Sequence, residues 1–118
     1  RGFITGSIIA NHLSLPFVPI RKKGKLPYET LSQDYELEYG KATIEIHSDA
    51  LNRNDNVLIV DDLIATGGTA LASIELVKKL DANVNGCTFI IDLPELKGRE
   101  KIEEIGIEVQ TLCSFKGH

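Results

Sequence analysis

Two adjacent carboxylates, Asp61 and Asp62, stand just before a short run of small and hydroxyl-bearing residues, Ala65-Thr66-Gly67-Gly68-Thr69. The run joins four uniformly apolar residues, 57–60, to a segment with helical apolar spacing at Leu71, Ile74 and Val77. That pattern predicts a strand, a tight turn and a helix. The first amides of a helix have no intrahelical acceptor, and the helix dipole adds positive potential there. Paired glycines let several N–H groups face one point, and Thr66 and Thr69 add hydroxyl donors, so the run predicts a cradle for a phosphate group. Carboxylates repel phosphate but suit hydroxyl donors or a hard cation such as Mg²⁺. A ligand with a phosphate at one end and a vicinal diol close by, such as ribose 5-phosphate, satisfies both halves. The plainer alternative is a strand-end turn whose acids only cap the helix.

Arg21, Lys22, Lys23 and Lys25 follow the apolar run 17–20 and supply charge for a polyanion, unless they form a solvated basic loop. The nucleoside-triphosphate loop G-x-x-x-x-G-K-[ST] and the dinucleotide fingerprint G-x-G-x-x-G are both absent. His12, His47 and His118 lack ligand spacing, so no metal site made of protein side chains is expected.

The elements that must position these residues alternate. Helices are predicted at 7–13, 68–80 (with Glu75 and Lys79 as an i,i+4 pair) and 99–105. Strands are predicted at 17–20, 42–47, 57–60, 87–91 and 107–112, those at 17–20 and 87–91 as buried and that at 57–60 as fully buried. Residues 24–40 are polar, carry Pro27 and read as one long loop; residues 52–56 read as a turn. Strands alternating with helices predict an α/β domain with a mostly parallel sheet flanked by helices. Ligands in such sheets sit outside the carboxyl ends of the strands, which places 61–69 and 21–25 at the site.

The 118 residues suffice for one core domain, 1–118. A net charge of −4 opposes bulk nucleic-acid binding, and no apolar run is long enough to cross a bilayer. No leading segment has the signal-peptide pattern. Cys87 and Cys113 lie in apolar stretches and read as reduced core thiols of a cytoplasmic protein. The chain has no methionine and opens abruptly on Arg1-Gly2-Phe3, which suggests a fragment lacking its N-terminal part.

The stretch "VLIVDDLIATGGT", residues 57–69, resembles the phosphoribosyl pyrophosphate (PRPP) motif of type I phosphoribosyltransferases, and the form Asp-Asp-Leu-x-Ala-Thr-Gly-Gly-Thr resembles their adenine phosphoribosyltransferase branch. Further stretches agree in order along the chain: Arg1-Gly2-Phe3, "IRKKGKLPYET" (20–30), "YELEYGKATIEIHSDAL" (35–51), "LKGREKI" (96–102) and the ending "FKGH". The resemblance implies a phosphoribosyltransferase core whose first strand and base-covering hood are missing, with a long mobile catalytic loop. It implies transfer of the phosphoribosyl group from PRPP to adenine, giving AMP and pyrophosphate, with Mg²⁺ held mainly by the phosphates and a homodimer as the assembly. Asp61 and Asp62 would hold the ribose hydroxyls, and Ala65, Thr66, Gly67, Gly68 and Thr69 the 5-phosphate. Arg1, Lys22 and Lys25 would meet the pyrophosphate, Lys25 across the dimer interface. Glu38, in "LEYG", would handle the proton near N7 of the purine. Alone, the fragment is expected to be weak or inactive. Three alternatives stay open: transfer to xanthine, guanine or orotate; a regulatory module that binds PRPP as an effector; and a receiver-type domain.

Overall fold

The computed structural model describes residues 1–37 and 39–116. Helix α1 spans Gly2–Leu13, starting earlier than the expected 7–13. It ends where Ser14 turns left-handed and the Leu15 N–H reaches back to Ala10 O at 2.8 Å, with Pro16 next. Strands β1 (Arg21–Lys22), β2 (Thr30–Leu37) and β3 (Gly40–His47) form an antiparallel sheet in the order β1-β3-β2. Strands β4 (Asn56–Ile64), β5 (Asn83–Asp92) and β6 (Val109–Ser114) form a parallel sheet in that order. Helix α2 (Gly68–Lys79) connects β4 to β5; a short 3₁₀ turn (Pro94–Leu96) and helix α3 (Gly98–Glu104) connect β5 to β6.

Helix α2 is the shared wall of two cores. Ala70, Ile74 and Val77, spaced i, i+4, i+7, pack with Ile59, Cys87, Phe89, Ile102 and Val109 of the parallel layer. Ala72 and Leu76, spaced i, i+4, pack with Ile44 and Ile46 of the antiparallel sheet, and Val18, Ile20, Leu31 and Tyr35 close that cluster. Lys79 does not pair with Glu75 as the i,i+4 spacing suggests; its Nζ donates to Ser32 O at 3.0 Å and ties the helix end to β2.

Four further expectations are corrected. Residues 17–20 are not a strand: Pro16 and Pro19 remove two backbone donors, and Val18 and Ile20 pack on the second core as irregular chain. Residues 30–37 are not loop but β2, whose Leu31, Gln33 and Tyr35 are half-buried while Ser32, Asp34 and Glu36 are exposed. Strand β4 is not buried on both faces, since Leu58 is 49% exposed while Ile59 is buried. Cys87 is buried as expected, but Cys113 is exposed.

Burial pushes the Cys87 thiol up to about 11, so it stays protonated and shielded near neutral pH. The expected outcome with a chromogenic thiol reagent at pH 8 is rapid modification of Cys113 in the native chain and modification of Cys87 only on adding denaturant. Mass mapping of the two sites checks it.

Candidate functional site

Register brings the carboxyl ends of the three parallel strands level: Ile64 lies beside Asp92, and Asp92 beside Ser114. The chain leaves β4 there and turns into α2 through residues 65–67. Gly67 sits at φ 88°, the left-handed region a residue without Cβ enters at least cost. No side chain caps α2 and no acid lies in its first turn, so the first helical amides keep their donors and the positive end of the dipole is not neutralised. Leu71 N–H is bonded to Gly67 O at 2.8 Å. Ala65, Thr66, Gly67, Gly68 and Thr69 all wall a cavity of about 120 Å³, joined there by Asp61, Tyr35 and Phe89. Residues of these types in that shape suit a tetrahedral anion.

Asp61 and Asp62 stand in the second half of β4. Asp61 is half-buried, and its Oδ1 accepts the Asp62 N–H at 2.9 Å. Burial raises its carboxyl above the usual range, and the neighbouring Asp62 carboxylate adds to the rise; the bond from the Asp62 amide works against it. Asp62 Oδ2 lies 3.2 Å from Nε of the exposed Arg1. With the Arg1 side chain exposed and Asp62 half-buried, such a surface pair contributes about 0–1 kcal/mol, so Arg1 is readily released to another anion. Two adjacent carboxylates fit Mg²⁺ carried on phosphate, which keeps most of its water and takes one or two protein oxygens. Among the described residues, no group of three or more His, Cys, Asp or Glu gathers in one place.

Beside the cavity runs a groove of about 880 Å³ lined by Arg1, Lys22, Lys25, Asp61, Asp62 and Thr69, with an apolar floor. Lys22 lies in β1 and Lys25 in the turn after it, where its N–H bonds Lys22 O at 3.2 Å. Glu45 on β3 pins this turn, its Oε1 accepting the Gly24 N–H at 2.9 Å and its Oε2 the Thr30 hydroxyl at 3.0 Å. Arg21 also lines the groove, whereas the exposed Lys23 does not. Asp61 and Thr69 are shared by cavity and groove, so an anion in the turn and a polyanion beside Arg1, Lys22 and Lys25 can belong to one ligand. Glu38 lies outside the described residues.

Sequence reasoning missed three contributors. Tyr35 closes over Gly68, where even a methyl group would meet its Cδ2 at 3.2 Å. The alternation of Leu31, Gln33 and Tyr35 with Ser32, Asp34 and Glu36 was the available signal, blurred by the polar Gln33. Phe89 was placed on its strand but not at the cavity, and Glu45 carried no local signal at all.

A model of the phosphoribosyl transferase domain matches residues 1–114. The adenine phosphoribosyltransferase of Maricaulis maris (strain MCS10) is 61% identical over 117 residues, covering 99% of this chain and 67% of that protein. A crystal structure of the adenine phosphoribosyltransferase from Rhodothermus marinus DSM 4252 superposes with a TM-score of 0.92 at 52% identity, over 98% of this chain and 65% of that one. The Saccharomyces cerevisiae enzyme, solved with adenine and an imino-altritol bisphosphate, superposes with a TM-score of 0.89 at 47% identity, over 95% of this chain and 62% of that one. The chain thus spans about two thirds of the length of the curated relatives it matches.

Asp61 gives a pH test with a fixed sign. Its folded-state pKa is raised, so the protonated form is favoured by folding. That advantage is full below the unfolded pKa of roughly 3.9 and is lost as pH rises through the folded value. Asp61→Asn, always neutral, is expected to melt higher than the wild type at pH 7 and level with it near pH 3. Melting curves of both chains across that range check it; a variant that melts lower at pH 7 contradicts the burial account.

Proposed function

The chain belongs to the phosphoribosyl transferase domain family, and from that premise we propose that its protein transfers the 5-phosphoribosyl group of PRPP to adenine, giving AMP and pyrophosphate. The observation that carries this reading is the acid pair of β4 set beside the cavity walled by residues 65–69, with a cationic groove next to both. The names of the relatives support adenine as the base.

In this reading Ala65, Thr66, Gly67, Gly68 and Thr69 bind the 5-phosphate through backbone amides and two hydroxyls, and anchor the sugar. Asp61 and Asp62 accept hydrogen bonds from the ribose hydroxyls and fix the ring. The C1–O bond to pyrophosphate breaks with its electron pair leaving on oxygen, C1 takes on positive charge, and the adenine N9 lone pair forms the new bond. The purine gives up one proton, and Glu38 is the residue we assign to it. Arg1, Lys22 and Lys25 stabilise charge on the departing pyrophosphate, where a preformed cationic groove lowers the barrier more than water does. Bound Mg²⁺ supplies further charge neutralisation on the phosphates. Holding both reactants by distant handles turns a bimolecular encounter into a local displacement. A homodimer in which Lys25 serves the neighbouring subunit, and a cytoplasmic role in purine salvage, complete the proposal.

The test uses the polypeptide that contains residues 1–118, with PRPP, Mg²⁺ and a panel of bases. Adenine is expected to yield AMP, and guanine, xanthine, hypoxanthine and orotate not to; turnover of another base without adenine overturns the substrate assignment. PRPP binding without turnover of any base favours an effector module. Asp61→Asn and Asp62→Asn are each expected to raise the KM for PRPP about tenfold or more, the scale of a lost charge-assisted hydrogen bond. Initial-rate kinetics read both.

A further inference from the structure

An anion-binding turn works only if its N–H groups point in and its carbonyls point out. In this chain the carbonyls of three successive residues are each taken by the segment that follows β5. Leu93 N–H donates to Ile64 O at 3.0 Å, and Gly98 N–H to Ala65 O at 3.0 Å. Lys101 Nζ donates to Thr66 O at 3.1 Å. A trans peptide is planar, with N–H and C=O on opposite sides. Holding those carbonyls therefore turns the N–H groups of Ala65, Thr66 and Gly67 the other way. That is the side of the 120 Å³ cavity, whose walls include Ala65, Thr66 and Gly67 and none of residues 93–101.

The approach is close enough to demand glycine. A Cβ on Gly98 would stand 2.5 Å from Ala65 O, 2.7 Å from Gly67 N and 2.9 Å from Ile64 Cγ1. A Cβ on Gly67 would in turn meet Gly98 Cα at 3.0 Å. The residue before Gly98, Lys97, is held left-handed at φ 63°, a conformation that costs a side-chain-bearing residue energy and marks a turn under constraint. The motif "LKGREKI" otherwise has no part in the site: its side chains line neither the cavity nor the groove.

We propose that Gly98 and Lys101 are positioning residues for the phosphate turn: by capturing the carbonyls of Ala65 and Thr66 they aim the adjoining amides at the anion. The proposal deepens the reading of residues 65–69 as a 5-phosphate site and rests on it. Neither residue touches the ligand. Gly98 acts by allowing backbone contact, and Lys101 by its ammonium donor.

The experiment titrates the ¹⁵N-labelled chain with ribose 5-phosphate and follows the amides of residues 66–69. Lys101→Met is expected to weaken binding about tenfold, with the melting temperature nearly unchanged because the side chain is exposed, and Lys101→Arg to restore it. Lys97→Met removes the same charge from the same turn without removing a carbonyl donor, and is expected to bind as the wild type does. Gly98→Ala is expected to weaken binding at least as much as Lys101→Met; should it fail to fold, the Lys101 series decides alone. Wild-type binding at residues 66–69 that Lys101→Met leaves intact overturns the positioning role and leaves the phosphate site standing. Equal losses in Lys97→Met and Lys101→Met reduce the effect to charge and also overturn it. Failure of ribose 5-phosphate to shift those amides in the wild type removes the site and the proposal together.

Discussion

Helix α2 must bury two apolar rows at once. Ala70, Ile74 and Val77 need the parallel sheet, and Ala72 and Leu76 need the antiparallel one. Satisfying both leaves the helix no freedom to roll or slide, because either motion would expose one row to water at roughly 25 cal/mol for each Å² uncovered. The N-terminus of that helix is the floor of the turn proposed to hold the 5-phosphate, so the packing that joins the two layers also fixes where that ligand would be held. Cavity and groove meet at this end, one supplied by the β4–α2 junction and the other by β1 and the chain before α2.

Like charges are kept apart by short distances along the chain. The acid pair sits within β4, whereas the amide donors begin at Ala65, so the carboxylates and the proposed phosphate need not share oxygen contacts. Asp61 bears the cost: half-buried beside a second carboxylate, it is harder to ionise than an exposed acid. In the proposed reading, a half-buried acceptor with less water competing for it is also a better partner for a sugar hydroxyl. Arg1 on Asp62 keeps the outer carboxylate partly neutralised while the groove is free of other anions.

Much of this was legible because it is local. The uniform run 57–60, the paired glycines and the 3.6-residue spacing of Leu71, Ile74 and Val77 each announce their element without outside help, and together they place the turn. The parts that were not legible depend on partners far along the chain. Residues 17–20 are as apolar as a core strand, yet two prolines lack the donors a ladder requires. Thr30 to Leu37 is polar enough to read as loop, and becomes β2 because β3 offers it a full register, from Thr30 opposite His47 to Leu37 opposite Gly40. Cys113 sits in an apolar run but near the end of an outer strand, where one face stays open. Gly98 lies just before the helix predicted at 99–105 and carried no signal of its own; only its approach to Ala65 explains why no larger residue stands there.

Bonds from Leu93, Gly98 and Lys101 to residues 64–66 span 29, 33 and 35 positions of chain. They cannot form until β5 has docked beside β4 and the backbone has doubled back. Strand β4 and helix α2 by themselves therefore do not supply the donors that hold the carbonyls of their connecting turn. The recognisable strand–turn–helix sequence is thus only part of the proposed grip; the rest is backbone and one ammonium group from some thirty residues further along the chain.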